Sequence, residues 1–152
     1  MDIEVNRVNE DRFEIILEDR RTVVDRDGLA RLSRHLNDLL DPVAREARAE
    51  RYNEFLDRLQ TANNTGIQAL LGTAAHDDIL VLLHSSEENA ELRKKLYANM
   101  SDNSVKIYVE DLLFQFREGL PGYRFDEAMR RLIETAENLV EDGALSFDGQ
   151  EG

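Results

Sequence analysis

The spacing of apolar residues changes once along the chain, from a period of two to a helical period. Within residues 1–24, Ile3 and Val5 alternate with polar residues, and Phe13 and Ile15 do the same after a polar break. Alternation of this kind, bounded by Asn and Asp, is typical of half-buried strands joined in a hairpin. The sequence therefore predicts two or three short strands at the start of the chain.

The next segment predicts a helix that covers these strands. Asp27 is a candidate N-cap, and Pro42 ends the helical pattern. A small sheet needs an apolar partner to be stable, and a stripe of leucines can provide it. We expect residues 1–42 to form a small β-β-α unit, whose leucines at helical spacing are Leu29, Leu32, Leu36, Leu39 and Leu40.

Beyond Pro42 the pattern is helical throughout. Apolar residues in 79–83 have no polar face, which indicates a short helix buried on most sides. The clearest stripe extends from Phe125 to Val140, and Gly143 follows it as a helix-ending glycine. The fold class predicted is mainly α, with a helical domain over residues 43–147 and a disordered tail over 148–152.

Composition excludes several classes of function. The 152 residues carry a formal charge of −13, which disfavours binding to nucleic acid because phosphates would be repelled. The sequence has no cysteine, so disulfides, thiolate metal sites and cysteine nucleophiles are excluded. Because no apolar run is long enough for membrane insertion and no signal peptide begins the chain, we expect a cytoplasmic protein.

Motifs for catalysis, cofactors and metals are missing. The run His76-Asp77-Asp78 lacks the spacing of metal ligands on a helix and suits the start of a helix instead. No nucleophile motif or glycine-rich phosphate loop occurs, so the sequence predicts neither an enzyme nor a cofactor. Glu110 and Asp111 point about 100° apart on a helix, which fits either a solvated acidic face or a contact with a basic partner.

Several short motifs occur in an order that resembles one known family, the C-terminal domain of the flagellar motor switch protein FliG. The resemblance covers residues from about 52 to 147. The motifs that carry it are Ile67-Gln68, Leu80-Val81-Leu82-Leu83, Leu92-Arg93-Lys94-Lys95, Asn99-Met100-Ser101, Glu110-Asp111-Leu112 and the ending Leu139-Val140-Glu141-Asp142-Gly143-Ala144-Leu145.

The resemblance implies an armadillo-like helical stack with a charged ridge that meets the cytoplasmic loop of the stator protein MotA. Glu110 and Asp111 keep the acidic pair of that ridge. His84 stands in place of a family Lys, Asn103 in place of a family Arg, and the turn 118–122 lacks a further Arg. The partner-binding residues implied are thus Glu110, Asp111, Asn103 and His84. The loss of basic positions argues against a torque role and points to a more basic partner.

Three hypotheses remain open. The first is a non-enzymatic protein-interaction module whose partner is a flagellar motor or stator component with a basic surface. The second is an adaptor or self-assembling module of a non-flagellar pathway, which forms a homodimer by pairing its N-terminal strands. The third, weaker on motif grounds, is a hydrolase or divalent-ion protein that uses its carboxylate clusters.

Overall fold

The computed structural model describes residues 1–147 and is mainly α, as predicted. The chain divides into two compact units, Met1–Ala47 and the remainder from Arg48 onward. The described residues form one three-stranded sheet followed by seven helices. The domain boundary after residue 42 and the armadillo-like arrangement stay predictions, and the tail predicted at 148–152 lies outside the described residues.

The N-terminal strands form one antiparallel sheet in the order β1-β2-β3. Val5 pairs with Ile15, and Ile15 pairs in turn with Thr22. The predicted β-β-α unit therefore has a third strand, because the β-branched stretch at 22–24 completes the sheet. The strands are β1 (Ile3–Arg7), β2 (Arg12–Leu17) and β3 (Arg20–Asp25).

Helix α1 (Arg26–Leu40) begins two residues earlier than predicted. Its N-cap is Asp25, whose carboxylate accepts a hydrogen bond from the Gly28 amide at 2.7 Å, whereas Asp27 lies inside the first turn. The prediction of Asp27 as N-cap is wrong because the third strand leads directly into the helix, so that its last residue takes the capping position.

Helix α1 packs against β3 and β2, as predicted, but only some of its leucines are buried by this packing. Leu29 and Leu32 are half-buried. The exposed fraction then rises to 48% at Leu36, 74% at Leu39 and 82% at Leu40. The helical spacing is correct, but partial burial is confined to the leucines in the first half of the helix.

Helix α4 is central to the second unit. All five residues of its apolar run, 79–83, are at most 2% exposed, which confirms the prediction of a buried helix. It packs against α6 on one side and α7 on another. The helices that follow α1 in the described chain are α2 (Pro42–Leu59), α3 (Asn64–Thr73), α4 (His76–Ser85), α5 (Ala90–Ala98), α6 (Asp102–Gln115) and α7 (Gly122–Glu141).

The end of the described chain folds back onto the start of α3. Gly143 follows α7 with a φ of +84°, the left-handed conformation predicted for it. The segment after it is held by Asn63, which is 2% exposed. The Asn63 side chain donates to the carbonyl of Ala144 at 3.2 Å and accepts from the amide of Ser146 at 2.8 Å.

Candidate functional site

Helix α6 carries three of the four residues implied as partner-binding. Ser101, a residue type that favours the N-cap position, caps the helix by accepting a hydrogen bond from the Ser104 amide at 3.1 Å. Asn103 lies in the first turn, and Glu110 follows seven residues later, about 10 Å further along the axis and on nearly the same side. Both side chains are exposed.

Apolar side chains share this exposed side of α6. Ile107 is 44% exposed and Phe114 is 75% exposed, and both lie on the stripe that passes through Asn103 and Glu110. We call these four residues the α6 face. Leu113 belongs to the apolar pattern of α6 in the sequence, which predicts an inward position, but it is 71% exposed beside this stripe.

The inner side of α6 explains why Leu113 stays outside. Tyr108 and Leu112 pack against the buried residues of the helical unit, and Phe116 belongs to its core. These three side chains already fill the space beside α4, so that the stripe facing inward is narrower than the apolar sequence pattern indicates.

Asp111 differs from Glu110 because it is already engaged inside the protein. One of its carboxylate oxygens lies 2.7 Å from Nε2 of His76, the first residue of α4. The His76 ring stacks on Tyr108 with 4.6 Å between ring centroids. Burial, with the Asp111 charge second, raises the pKa of Tyr108. The acidic pair therefore presents one exposed carboxylate and one that is held by α4.

His84 lies at the other end of α4 and is half-buried. Its ring centroid is 5.0 Å from that of Phe116, and its Nδ1 is 3.7 Å from a carboxylate oxygen of Glu87. His84 also lines an open groove with Leu120 and Phe125. Since α6 is about 20 Å long, His84 and Asn103 mark opposite ends of this surface.

An ion pair between a buried carboxylate on α4 and a half-exposed guanidinium on α7 joins these two helices. The Arg131 guanidinium donates to both carboxylate oxygens of Asp78, at 2.9 and 2.8 Å. Asp78 is 4% exposed, and its hydrogen bonds raise the pKa of Arg131. Asp77 and Asp78 do lie in the first turn of α4, as predicted, but Asp78 also holds two helices in place and thereby supports the surface formed by α4 and α6.

Two features of this surface were not predicted from the sequence: the contact of His76 with Asp111, and the exposure of Ile107 and Phe114. The contact of His76 joins residues 35 positions apart and leaves no local pattern. The seven-residue spacing from Ile107 to Phe114 was a usable signal, since it brackets Glu110 on one side of the helix. Within residues 1–147, no group of three or more His, Asp or Glu side chains is placed to hold a metal ion.

The fold and the α6 face together define a class of protein, a mainly helical domain that displays a mixed acidic and apolar helix surface. A family model for the FliG C-terminal domain matches residues 35–147, and the chain belongs to this family. The match begins in the second half of α1, earlier than the resemblance from about residue 52 indicated. The family consists of non-catalytic domains of the flagellar motor switch.

Comparisons with curated proteins and with solved structures give no significant match. Among the helices of the described residues, none has both the length and the apolarity needed to cross a membrane.

Proposed function

We propose that the protein is a non-enzymatic interaction module of the cytoplasm, and that it binds a basic protein surface through the α6 face. The observation that carries this proposal is the composition of one exposed stripe, in which Asn103 and Glu110 alternate with Ile107 and Phe114. Membership in the FliG C-terminal family supports a flagellar motor or stator component as the partner.

Charge and apolar contact have different tasks in such an interface. Glu110 attracts a basic partner and orients it, and this contribution weakens as salt screens the charges. Phe114 supplies the desolvated anchor, because a few aromatic or Arg side chains usually carry most of the binding energy. Asp111 contributes less than Glu110, since its carboxylate is shared with His76.

The ends of this surface favour a partner richer in basic residues than that of the family. His84 and Asn103 stand where the resemblance implies Lys and Arg, so the surface offers fewer positive charges to an acidic segment of a partner. We therefore propose binding without a torque role, in which His84 forms the edge of the contact and Glu110 its acidic centre.

The experiment uses the full chain and, as the probe, the cytoplasmic loop of the host's stator protein with a fluorescent label. Fluorescence anisotropy measures its Kd for the wild type and for two variants, Glu110→Lys and Phe114→Ser. Each variant is expected to weaken binding at least tenfold, about 1.4 kcal/mol. The control is Glu134→Lys, which makes the same charge change on the exposed side of α7.

Two results would contradict the proposal. One is an unchanged Kd in both α6 variants, and the other is an equal loss of affinity in the Glu134→Lys control. If the stator loop does not bind the wild type at low salt, the stator is excluded as the partner. The same variants then serve in pull-downs from the flagellated host, where a motor component is expected with the wild type and lost with Phe114→Ser.

One observation favours the second hypothesis, self-assembly through strands. β1 is an edge strand, and all five of its residues are exposed. Proline at an edge position whose N–H points outward blocks strand addition without breaking the sheet. The N–H groups of Val5 and Asn6 point to opposite sides of β1, so Val5→Pro and Asn6→Pro are compared. If copies of the chain pair through β1, one of these variants should lower the molecular mass of the protein in solution while the sheet is retained.

A further inference from the structure

An open groove lies where α2, the end of α4 and the start of α7 meet. Its volume is about 500 Å³. Sites that hold small ligands or single side chains usually measure roughly 300–1,000 Å³. All of its lining residues belong to the compact unit that starts at Arg48. We call it the α4 groove, and its lining includes Leu56, His84, Glu87, Glu88, Leu120 and Phe125.

The apolar floor of the α4 groove is a partly exposed extension of the core. Leu120 and Phe125 are half-buried and pack against the buried Phe116 and Ala128. The Phe125 ring also makes an edge contact with Tyr52, with 5.8 Å between ring centroids and 83° between ring planes. The floor is therefore held in place by the core, so that a bound side chain finds it already formed.

The turn between α4 and α5 is fixed at both ends. Ser86 is fully buried, and its hydroxyl donates to a carbonyl of the last turn of α4 at 2.7 Å. The Asn89 side chain caps α5 by accepting an amide at 3.2 Å, and the Asn89 amide donates to the carbonyl of Ser86 at 2.9 Å. Glu87 and Glu88 lie between these two anchors, which hold both residues beside the groove.

The charge of the α4 groove is negative. Glu87 and Glu88 are exposed, and no Lys or Arg is among the lining residues. One carboxylate oxygen of Glu87 lies 3.7 Å from Nδ1 of His84. Arg93 bonds the main-chain carbonyl of Glu87, at 3.4 Å, and neither carboxylate. Within residues 1–147 the Glu88 carboxylate has no hydrogen bond or ion pair, so it is available to a cation from outside the chain.

An apolar floor beside two carboxylates has the chemistry to hold an arginine side chain. The methylene stem of an arginine covers apolar surface while its charged head stays at a polar rim. The guanidinium is planar and donates paired N–H groups to carboxylates, and it also packs favourably on aromatic rings such as that of Phe125. A wholly apolar side chain gains nothing from Glu87 and Glu88, and an acidic one is repelled by them.

We propose that the α4 groove binds an arginine side chain of a protein partner, together with an apolar residue next to that arginine. The apolar parts cover Leu120 and Phe125, and the guanidinium pairs with Glu88 first and with Glu87 second. None of the four residues of the α6 face lines the groove. The arginine site is therefore a second acidic site, which does not depend on binding at the α6 face.

The experiment titrates the full chain, labelled for NMR, with two blocked dipeptides. One is acetyl-leucyl-arginine amide, and the other is acetyl-leucyl-citrulline amide, which has nearly the same shape without the charge. The arginine peptide is expected to bind in the millimolar range at low salt and to shift the backbone amides of Glu87, Glu88 and Leu120. We expect the citrulline peptide to bind at least threefold more weakly, since it lacks the ion pair.

Glutamine substitutions keep the size of the side chain and remove its charge. The double variant Glu87→Gln with Glu88→Gln is expected to bind the arginine peptide at least threefold more weakly than the wild type. The matched control is Glu134→Gln, an equally exposed class of position on α7 outside the groove, which is expected to bind like the wild type. Glu110→Gln on the α6 face is also expected to bind like the wild type.

Four results would overturn the arginine site. They are the absence of amide shifts at the groove in the wild type, equal affinity for the citrulline peptide, unchanged affinity in the double variant, and an equal loss in Glu134→Gln. If Glu110→Gln alone weakens the arginine peptide, the arginine binds at the α6 face, which supports the proposed function and not the groove. Conversely, binding at the groove with no binding of the stator loop supports the groove and excludes the stator.

Discussion

The two compact units differ in how completely they bury their apolar residues. In the unit that starts at Arg48, five consecutive residues of α4 are at most 2% exposed. In Met1–Ala47, the one buried apolar side chain is Phe13, and three of the five α1 leucines are exposed. Both helices have apolar residues at good spacing. The difference teaches that an amphipathic sequence defines a face, whereas burial depends on whether another element packs against it.

The largest effect is expected from truncating a leucine in each unit. Leu82→Ala should lower the free energy of unfolding by about 2–5 kcal/mol, because Leu82 is fully buried and a cavity remains. Leu39→Ala should change it by less than about 0.5 kcal/mol, since this side chain is 74% exposed. Urea unfolding at low protein concentration, followed by circular dichroism, measures both values. Equal losses of unfolding free energy in the two variants would contradict the view that the two units bury their leucines to different extents.

An ion pair in each unit gives the next comparison. Arg131→Ala leaves the buried Asp78 carboxylate without its partner, and we expect a loss of about 3 kcal/mol. In the first unit, Arg21 lies 3.2 Å from Glu14 with 66% of its side chain exposed. Arg21→Ala should therefore cost about 0–1 kcal/mol. The double variant Arg131→Ala with Asp78→Ala should recover part of the loss; no recovery would mean that the pairing itself is not the cause.

Two helix glycines extend the comparison to backbone packing. A Cβ at Gly66 would collide with the Leu145 side chain and would lie 2.7 Å from the Leu145 Cα, so Gly66→Ala should cost about 1–3 kcal/mol. A Cβ at Gly28 meets Asp25 and Val24 only at 3.1 and 3.3 Å. Gly28→Ala should be nearly neutral, because improved helix propensity of about 1 kcal/mol offsets the contact. Thermal unfolding distinguishes the two variants, and a larger loss at Gly28 would contradict this account.

The sequence predicted those features that depend on local spacing. The buried run of α4, the Ser101 cap and the end of α7 at Gly143 are of this kind, because each is determined by residues within one or two turns. The contact of His76 with Asp111 joins two helices, so that no periodicity reveals it. The exposure of Leu113 was not predicted because it depends on which side of α6 packs against other helices.

A pattern counts the apolar residues of a helix but not the neighbours available to cover them. On α6, Tyr108, Leu112 and Phe116 pack inward against the core. Ile107 and Phe114 are left exposed and belong to the α6 face. This surface therefore became visible only once the packing of the helices was known. The Asp25 cap was not predicted because it depends on the third strand, and the sequence pattern fits either two strands or three.

The smallest expected effect concerns alkaline pH, which acts on one unit alone because all four tyrosines follow Arg48. Burial, then the hydrogen bond that its hydroxyl donates to Asp126 at 2.6 Å, raises the pKa of Tyr52 to about 12. Between pH 10 and 12 the unfolded chain loses this proton first, so the free energy of unfolding falls as pH rises.

At pH 8, Tyr52→Phe should cost about 1 kcal/mol for the lost hydrogen bond. Above pH 10 the variant should lose stability less steeply than the wild type, which urea unfolding at pH 8, 10 and 11 can measure. An unchanged slope would show that Tyr52 is not the group that couples the helical unit to alkaline pH.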